Sequence, residues 1–482
     1  HEKKENDLNS QYYKRLAYDE ILSNLLVLSH VRKRIKKFKK KNKVFDNGLS
    51  NELIKNFNFT LTHDQKKVVD EINYDLQSDH KMFRILQGDV GTGKTIVSFI
   101  GAANVIKSNY QAVMMAPTEI LAKQHFDLAK KIFKSTKVTI EFLTGKIKPK
   151  DKKIIQENLL SGRINFLIGT HALFQKNILF KNLGLIIIDE QHKFGVKQRK
   201  ALSDKGGKNC DILLMSATPI PRTLIMSIYG DMDVSIIKEK PLNRKEVLTY
   251  SKPINKINEI IKFVEKEIKN DNQIFWVCPL IEESKKIDHE SAVKKYKELI
   301  KLFPNNVAII HSGIDKEEKQ KILKDFLNKK YRILVSTTII EVGIDFPNAN
   351  IIIIENANKF GLSQLHQLRG RVGRGNKKSY CILLFKSNLS VNARKRINIL
   401  KSTTDGFKIA DADMKLRGFG DILGFKQSGI KNFKLADPVQ NEDLFILAEK
   451  EIARIEKDEK NIDKYRTLLK LYDQVDIIND IS

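Results

Sequence analysis

Short apolar runs recur along the chain from about residue 58, each followed by turn residues and then by a segment whose apolar positions have helical spacing. Such runs read as strands buried on both faces, and the helical segments between them read as the crossovers that parallel strands require. A first set falls at 83–86, 112–115, 165–168, 185–188 and 212–215, and a second repeats the design at 274–277, 307–310, 332–335, 351–354 and 380–384. The pattern predicts the α/β class, as two doubly wound parallel-sheet lobes in tandem. Their boundary is expected near 239–244, where Pro241 and charged residues interrupt the periodicity. Ahead of the lobes, Leu16-Ala17-Tyr18-Asp19-Glu20-Ile21-Leu22 opens an amphipathic helix that runs to Leu28, and a Gly/Ser/Asn linker is expected near 47–51. Beyond about residue 388 the pattern turns helical and glycine-rich and ends in a charged helical tail. The expected division is a helical linker over 1–57, a first lobe over 58–240, a second over 241–395, and a helical hairpin and loop with the tail over 396–482.

The 482 residues suffice for about three domains, and 41% hydrophobic with 30% charged residues is the balance of a globular protein. No apolar run approaches the roughly 18 residues of a spanning helix, and His1-Glu2-Lys3-Lys4 is too charged for a signal peptide, so a cytoplasmic location is expected. The chain opens without Met, which fits a fragment. Cys210, Cys278 and Cys381 are too scattered for structural zinc and too few for a disulfide framework. The net charge of +28 points to a polyanionic partner or to a lysine-rich coding bias. The densest basic stretch, 32–41, reads as a solvated helix face or linker, or as a direct DNA contact.

The first lobe carries chemistry. Between the run at 83–86 and the helical Ile96-Val97-Ser98-Phe99-Ile100 stands Gly88-Asp89-Val90-Gly91-Thr92-Gly93-Lys94-Thr95, which fits G-x-x-x-x-G-K-[ST]. Its glycines let backbone N–H groups, that of Thr92 included, turn inward around phosphates at a helix N-terminus. Lys94 balances the β/γ charge and Thr95 is suited to Mg²⁺, so ATP and Mg²⁺ are the expected cofactors. The run at 185–188 ends in Asp189-Glu190, which places a metal carboxylate (Asp189) beside a group that polarises the attacking water (Glu190). Phe59-Thr60-Leu61-Thr62-His63-Asp64-Gln65 precedes the first lobe's leading helix. Gln65 offers the adenine edge a donor and an acceptor and Phe59 joins that site, although Thr62-x-x-Gln65 is also a capping box. Ser216 and Thr218, in Ser216-Ala217-Thr218-Pro219, either link the nucleotide state to lobe movement or form only a turn.

The second lobe supplies what a lone phosphate-binding lobe lacks, a guanidinium for the charge that develops on the γ-phosphoryl group. Gln367-Leu368-Arg369-Gly370-Arg371-Val372-Gly373-Arg374-Gly375 fits Q-x-x-G-R-x-G-R, with Arg371 and Arg374 as catalytic candidates and Gln367 as a coupling residue. Arginines that complete the site only when the lobes close on ATP make hydrolysis an opening and closing motion, and on a polyanion such motion is translocation. Thr337 and Thr338 suit a phosphate backbone, while Gly343 and Asp345 suit ATP ribose. Thr118, Gln124, Thr144, Gly145, Thr170 and Ser312 also follow expected strands; each is either a DNA-backbone contact or a satisfied turn residue.

Several segments go beyond a generic motor: A-P-T-E-I-L-A-K-Q-H at 116–125, G-T-H-A-L at 169–173, D-E-Q-H at 189–192, A-T-P-I-P-R-T at 217–223, V-C-P-L-I-E-E at 277–283, F-G-L-S-Q-L-H at 360–366 and Asp405-Gly406-Phe407. In this order they resemble the RecG family of superfamily 2 DNA helicases, from about residue 15 to about 452. The resemblance implies two RecA-like lobes and a translocation element over 403–429, with Arg396, Arg417 and Gln427 coupling lobe closure to movement along duplex DNA. Arg417-Gly418-Phe419-Gly420 departs from the family's R-G-P-G, and a missing proline loosens that turn. Family members carry an OB-like wedge domain that splits the branch point, and the resemblance implies that this chain begins just after it, at Arg15-Leu16-Ala17-Tyr18-Asp19-Glu20. It further implies a monomeric bacterial enzyme of the nucleoid that reverses forks, migrates Holliday junctions and removes R-loops on branched or duplex DNA, in recombination and repair, with no membrane partner. The rival readings are a transcription-repair coupling translocase, whose motor shares the 217–223 and arginine motifs, and a non-hydrolysing DNA-binding scaffold.

Overall fold

The computed structural model describes residues 10–37, 39–57, 59–190, 205–216, 232–241, 246–279, 285–311, 313–337, 346, 348–373, 377–386, 388–417, 433–437, 440–455 and 465–472. A seven-stranded sheet contains β1 (Phe83–Gly88), β2 (Gln111–Met115), β3 (Ile140–Leu143), β4 (Phe166–Gly169), β5 (Leu183–Ile188), β6 (Asp211–Ser216) and β7 (Asp233–Ile237), in the order β3-β4-β2-β5-β6-β1-β7. A six-stranded sheet contains β8 (Val247–Pro253), β9 (Gln273–Val277), β10 (Val307–Ile310), β11 (Ile333–Ser336), β12 (Ala349–Ile354) and β13 (Ser379–Phe385), in the order β10-β11-β9-β12-β13-β8. The helices are α1 (Gln11–Lys37), α2 (Gly48–Asn56), α3 (His63–Gln77), α4 (Lys94–Lys107), α5 (Glu119–Ile132), α6 (Pro149–Ser161), α7 (Ile257–Lys269), α8 (Lys285–Leu302), α9 (Lys316–Leu327), α10 (Leu362–Arg369), α11 (Val391–Ser402), α12 (Gly406–Arg417), α13 (Glu442–Ile455) and α14 (Arg466–Leu471). Two compact units result: His1–Gln87, Lys94–Ile237 and Met414–Ser482 form the first, and Gly88–Gly93 with Lys238–Asp413 form the second.

The apolar runs are strands because both faces of each sheet are covered. In β5, Leu185 and Ile187 pack with Leu86, Val97 and Phe99 on one face, while Ile186 and Ile188 pack with Ile85, Leu173 and Leu214 on the other. A strand with no solvent face has no position for a polar residue, so its sequence reads as a continuous run. Each such Leu or Ile contributes about 1.5–3 kcal/mol by leaving water. In the second unit, Ile274, Trp276, Ile351 and Ile353 share one such core with Val264.

Three strands escape the run pattern, and all three lie at sheet edges. β7 ends one sheet and exposes Val234 and Ile236; β8 ends the other and exposes Leu248 and Tyr250. β3, the opposite edge of the first sheet, begins and ends on buried residues with half-buried ones between. The linker expected at 47–51 is instead the start of α2, with Asn47 as N-cap and Gly48 N donating to Asp46 Oδ1 at 2.9 Å. Small polar residues serve a helix start as well as they serve a linker.

At the chain's beginning, α1 packs Ala17, Ile21, Leu25 and Leu26 against Leu444, Phe445 and Ala448 of α13 and Leu469 of α14. Glu20, only 7% exposed, accepts three consecutive backbone N–H groups, from Lys434 at 2.6 Å, Leu435 at 2.8 Å and Ala436 at 2.8 Å. Tyr13 Oη donates to Leu435 O in the same turn at 2.6 Å. Glu20→Ala would strand those donors, and we expect a loss of about 3 kcal/mol or more. Thermal melting of the variant checks this; a midpoint equal to that of the parent chain would show that water replaces the carboxylate.

Candidate nucleotide and DNA site

The loop from β1 to α4 is shaped by two left-handed glycines, Gly91 at φ 81° and Gly93 at φ 84°. Residues with a Cβ avoid this region. Thr92 is fully buried, and both its N and its Oγ1 donate to Asp89 O, at 3.3 and 3.0 Å. Lys94 (8% exposed) and half-buried Thr95 open α4, whose N-terminal N–H groups favour an anion.

Asp189 and Glu190 follow β5 within the first unit. Asp189 Oδ1 accepts from Glu190 N at 3.0 Å, and Oδ2 lies 2.8 Å from His125 Nε2. Burial pushes the Asp189 carboxyl up, but the His125 hydrogen bond and charge, then Lys94 and the Glu190 N–H, hold it below the ordinary carboxylate range. Lys94, at the first turn of α4, and the Asp189–Glu190 pair belong to the same unit. Glu190 adopts φ 52°, a strained conformation for a residue with a side chain. The β1–β6 register sets Gln87 opposite Ser216, and the fully buried Gln87 amide makes no hydrogen bond among the described residues.

These residues suit a nucleoside triphosphate with a divalent cation. Two left-handed glycines lead in the chain to a lysine and a hydroxyl that open a helix, and the unit that holds this helix also holds a carboxylate kept anionic. No group of three or more His, Cys, Asp or Glu able to hold a metal exists among the described residues. Mg²⁺ does not require one, since it is commonly held by one or two protein ligands together with phosphate oxygens.

The remaining sequence candidates fall into distinct settings. Gln65 forms the capping box: its N donates to Thr62 Oγ1 at 3.2 Å, and its Oε1 accepts from Thr62 N at 2.9 Å. Phe59 is exposed and meets Phe57 edge-on at 5.2 Å. Thr118 caps α5 through Leu121 N at 3.3 Å, Gln124 is half-buried, and Gly145 is exposed with open space around it. Thr144, Thr170 and Thr337 are buried, and the Thr337 hydroxyl has no hydrogen-bond partner among the described residues. Thr218, Ser312, Thr338, Gly343, Asp345, Arg374 and Gln427 lie outside the described residues, as does the side chain of Arg417.

Within the second unit, Arg371 is buried, Gln367 is half-buried, and Arg396 donates to Asn358 O at 3.0 Å. Sequence reading gave no role to His366, Arg369 or Asp89, which form one network here. Arg369 donates to His366 Nδ1 at 2.9 Å and to the carbonyls of Leu400 and Thr403 at 2.6 and 2.9 Å. A guanidinium has no acceptor, so Nδ1 is unprotonated and His366 Nε2–H donates to Asp89 Oδ1 at 2.7 Å. Lys240 pairs with the other carboxylate oxygen at 2.9 Å. Burial raises the Asp89 carboxyl, but His366 and Lys240 outweigh it and hold the group well below the ordinary range. His125 and His366 both lie in segments legible as motifs; their partners, distant in sequence, are what gives them roles. The three cysteines are buried free thiols, and burial pushes Cys210 and Cys381 up to about 12.

A phosphate-binding lobe followed by a second parallel-sheet lobe with an arginine motif defines the class of two-lobed helicase motors. A DEAD/DEAH box helicase model matches residues 62–226, and a helicase conserved C-terminal domain model matches 255–376. A third, for the C-terminal part of domain 3 of the ATP-dependent DNA helicase RecG, matches 403–475. The chain belongs to the RecG helicase family. It is 44% identical to the ATP-dependent DNA helicase RecG of Aquifex aeolicus over 97% of this chain and 60% of that one. It is 46% identical to that of Bacillus subtilis over 82% of this chain and 58% of that one. The chain thus spans about 60% of the length of the curated relatives it matches. A solved structure of RecG bound to a three-way DNA junction aligns with TM-score 0.73 at 42% identity, over 90% of this chain and 57% of that one. Mss116p, solved with single-stranded RNA and AMP-PNP, aligns with TM-score 0.56 at 20% identity over 76% of this chain and 80% of that one, a likeness of fold. No helix among the described residues is long and apolar enough to cross a membrane.

Proposed function

We propose that the chain is the ATP-driven motor of a helicase that moves on branched or duplex DNA. The observation that carries this reading is the occurrence, in one unit, of Lys94 at the start of α4 and the Asp189–Glu190 pair, with the Lys94 charge acting on the Asp189 carboxyl. In this reading Lys94 binds the β/γ-phosphates, Thr95 and Asp189 hold Mg²⁺, and Glu190 orients and polarises the attacking water. Mg²⁺ held there would neutralise phosphate charge. Arg371 and Arg374 meet the charge that develops on the γ-phosphoryl group. Phe59 and Gln65 hold adenine, and Gly343 with Asp345 holds ribose. Ser216, Thr218, Gln367, Arg396, Arg417 and Gln427 couple hydrolysis to movement, while Thr118, Gln124, Thr144, Gly145, Thr170, Ser312, Thr337 and Thr338 track the DNA backbone. The division into 1–57, 58–240, 241–395 and 396–482 belongs to the same reading, as do a monomeric state and a cytoplasmic, nucleoid location. So do fork reversal, branch migration and R-loop removal by the whole protein, in recombination and repair.

Phosphate release measured with forked, duplex and single-stranded DNA tests the proposal. Stimulation by forked or duplex DNA is expected. Absence of turnover with every DNA would leave a non-hydrolysing scaffold.

A further inference from the structure

The motor reading gives Asp189 to Mg²⁺ and the surface near Thr118 and Gln124 to the DNA backbone; it leaves His125 without a role. The structure places this side chain between the two. His125 is 6% exposed and sits on α5, the helix that Thr118 caps and that also carries Gln124. Its Nε2 lies 2.8 Å from Asp189 Oδ2, with both side chains nearly excluded from water. An ionised carboxylate only accepts, so Nε2 carries the hydrogen. The other Asp189 oxygen is engaged by Glu190 N at 3.0 Å. The carboxylate is therefore held at both oxygens, by the backbone of the candidate catalytic acid and by the imidazole of α5. Successive helix residues point about 100° apart, so Gln124 and His125 face different surroundings while moving as one rigid turn.

We propose that His125 is a positioning residue that fixes the Asp189 carboxylate for Mg²⁺-nucleotide and passes the position of α5, set by DNA at Thr118 and Gln124, to that carboxylate. The proposal rests on the motor reading. Hydrogen bonds to a metal-ligating carboxylate orient it, and their removal typically costs about 10–100-fold in metal affinity or activity. No bond is made or broken by His125, and it does not touch the reacting atoms.

The test uses the full chain and the variants His125→Ala, His125→Asn and His125→Gln. Glutamine carries an amide N–H about where Nε2 stands, whereas asparagine is polar but too short to reach Asp189. Two quantities are read: the Mg²⁺ concentration for half-maximal binding of a fluorescent non-hydrolysable ATP analogue, and the ratio of phosphate release with and without forked DNA. DNA affinity without nucleotide, measured by anisotropy, is the control. His125→Ala and His125→Asn are expected to raise the Mg²⁺ requirement by about 10–100-fold and to bring the DNA stimulation ratio close to unity, with DNA affinity retained. His125→Gln is expected to restore both. If the alanine variant does not fold, the asparagine variant gives the same comparison. Wild-type Mg²⁺ dependence and stimulation in the asparagine variant would overturn the proposal. Equal impairment in the glutamine variant would also overturn it, because packing rather than the N–H would then be what matters. If the parent chain itself shows no DNA-stimulated turnover, the motor reading fails, and the Mg²⁺ titration still decides whether His125 positions Asp189.

Discussion

Lys94→Ala is expected to reduce ATP turnover by on the order of 10²-fold or more while leaving DNA binding intact, since removing one preorganised donor from a developing anion costs about that much. The geometry makes the site demanding. Lys94 is buried at the first turn of α4, beside the two left-handed glycines, and its charge acts on the Asp189 carboxyl. Alanine has a high helix propensity, so α4 itself should persist. Two measurements separate the outcomes. Phosphate release with saturating forked DNA should collapse, whereas a salt titration of DNA binding should keep its slope, because the phosphate contacts that release counterions lie elsewhere. Turnover within about threefold of the parent chain would remove Lys94 from the triphosphate site, given the size of the effect that a lost donor should have.

What the sequence made legible follows from where information is local. The runs in β5 and β12 announce themselves because every residue is buried, and the phosphate loop does so because its glycines, lysine and threonine are consecutive. β7 and β8 were missed because an edge strand exposes alternate positions, which reads as neither a buried run nor a helix. The charge-bearing residues were the hardest. His125 meets Asp189 across 64 positions and His366 meets Asp89 across 277, so no window of sequence holds both partners. The Thr62–Gln65 pair was ambiguous because a capping box and an adenine-reading glutamine need the same residue types at the same spacing, and the two side chains do form the box. The basic stretch at 32–41 also divides. Arg32 pairs with Asp233, and Lys40 is buried rather than a solvated face.

Lys40 and Lys43 lead to the largest expected loss of stability. Asp211 Oδ1 and Oδ2 accept from Lys40 Nζ at 2.7 and 2.8 Å, Oδ2 accepts from Lys43 Nζ at 2.6 Å, and Oδ1 also accepts from Met82 N at 2.7 Å. All three charged side chains are fully buried. Burial pulls the Lys40 ammonium below its ordinary value, and the Asp211 charge offsets only part of that. Asp211→Ala would leave two buried ammonium groups and the Met82 N–H without their carboxylate, and removing one partner from a buried ion pair costs about 3–5 kcal/mol. For a unit of this size that corresponds to a fall of on the order of 10 °C in the melting midpoint. Replacing the whole cluster by Lys40→Met, Lys43→Met and Asp211→Asn should recover most of the loss, because the cost lies in uncompensated charge, and asparagine still accepts from Met82 N. Asp211 begins β6, whereas the phosphate loop leaves the far end of the parallel strand β1 beside it, so turnover per folded molecule should hardly change. A melting midpoint for Asp211→Ala within about 2 °C of the parent chain would mean that water reaches the two lysines and that the cluster does not hold this segment to the sheet.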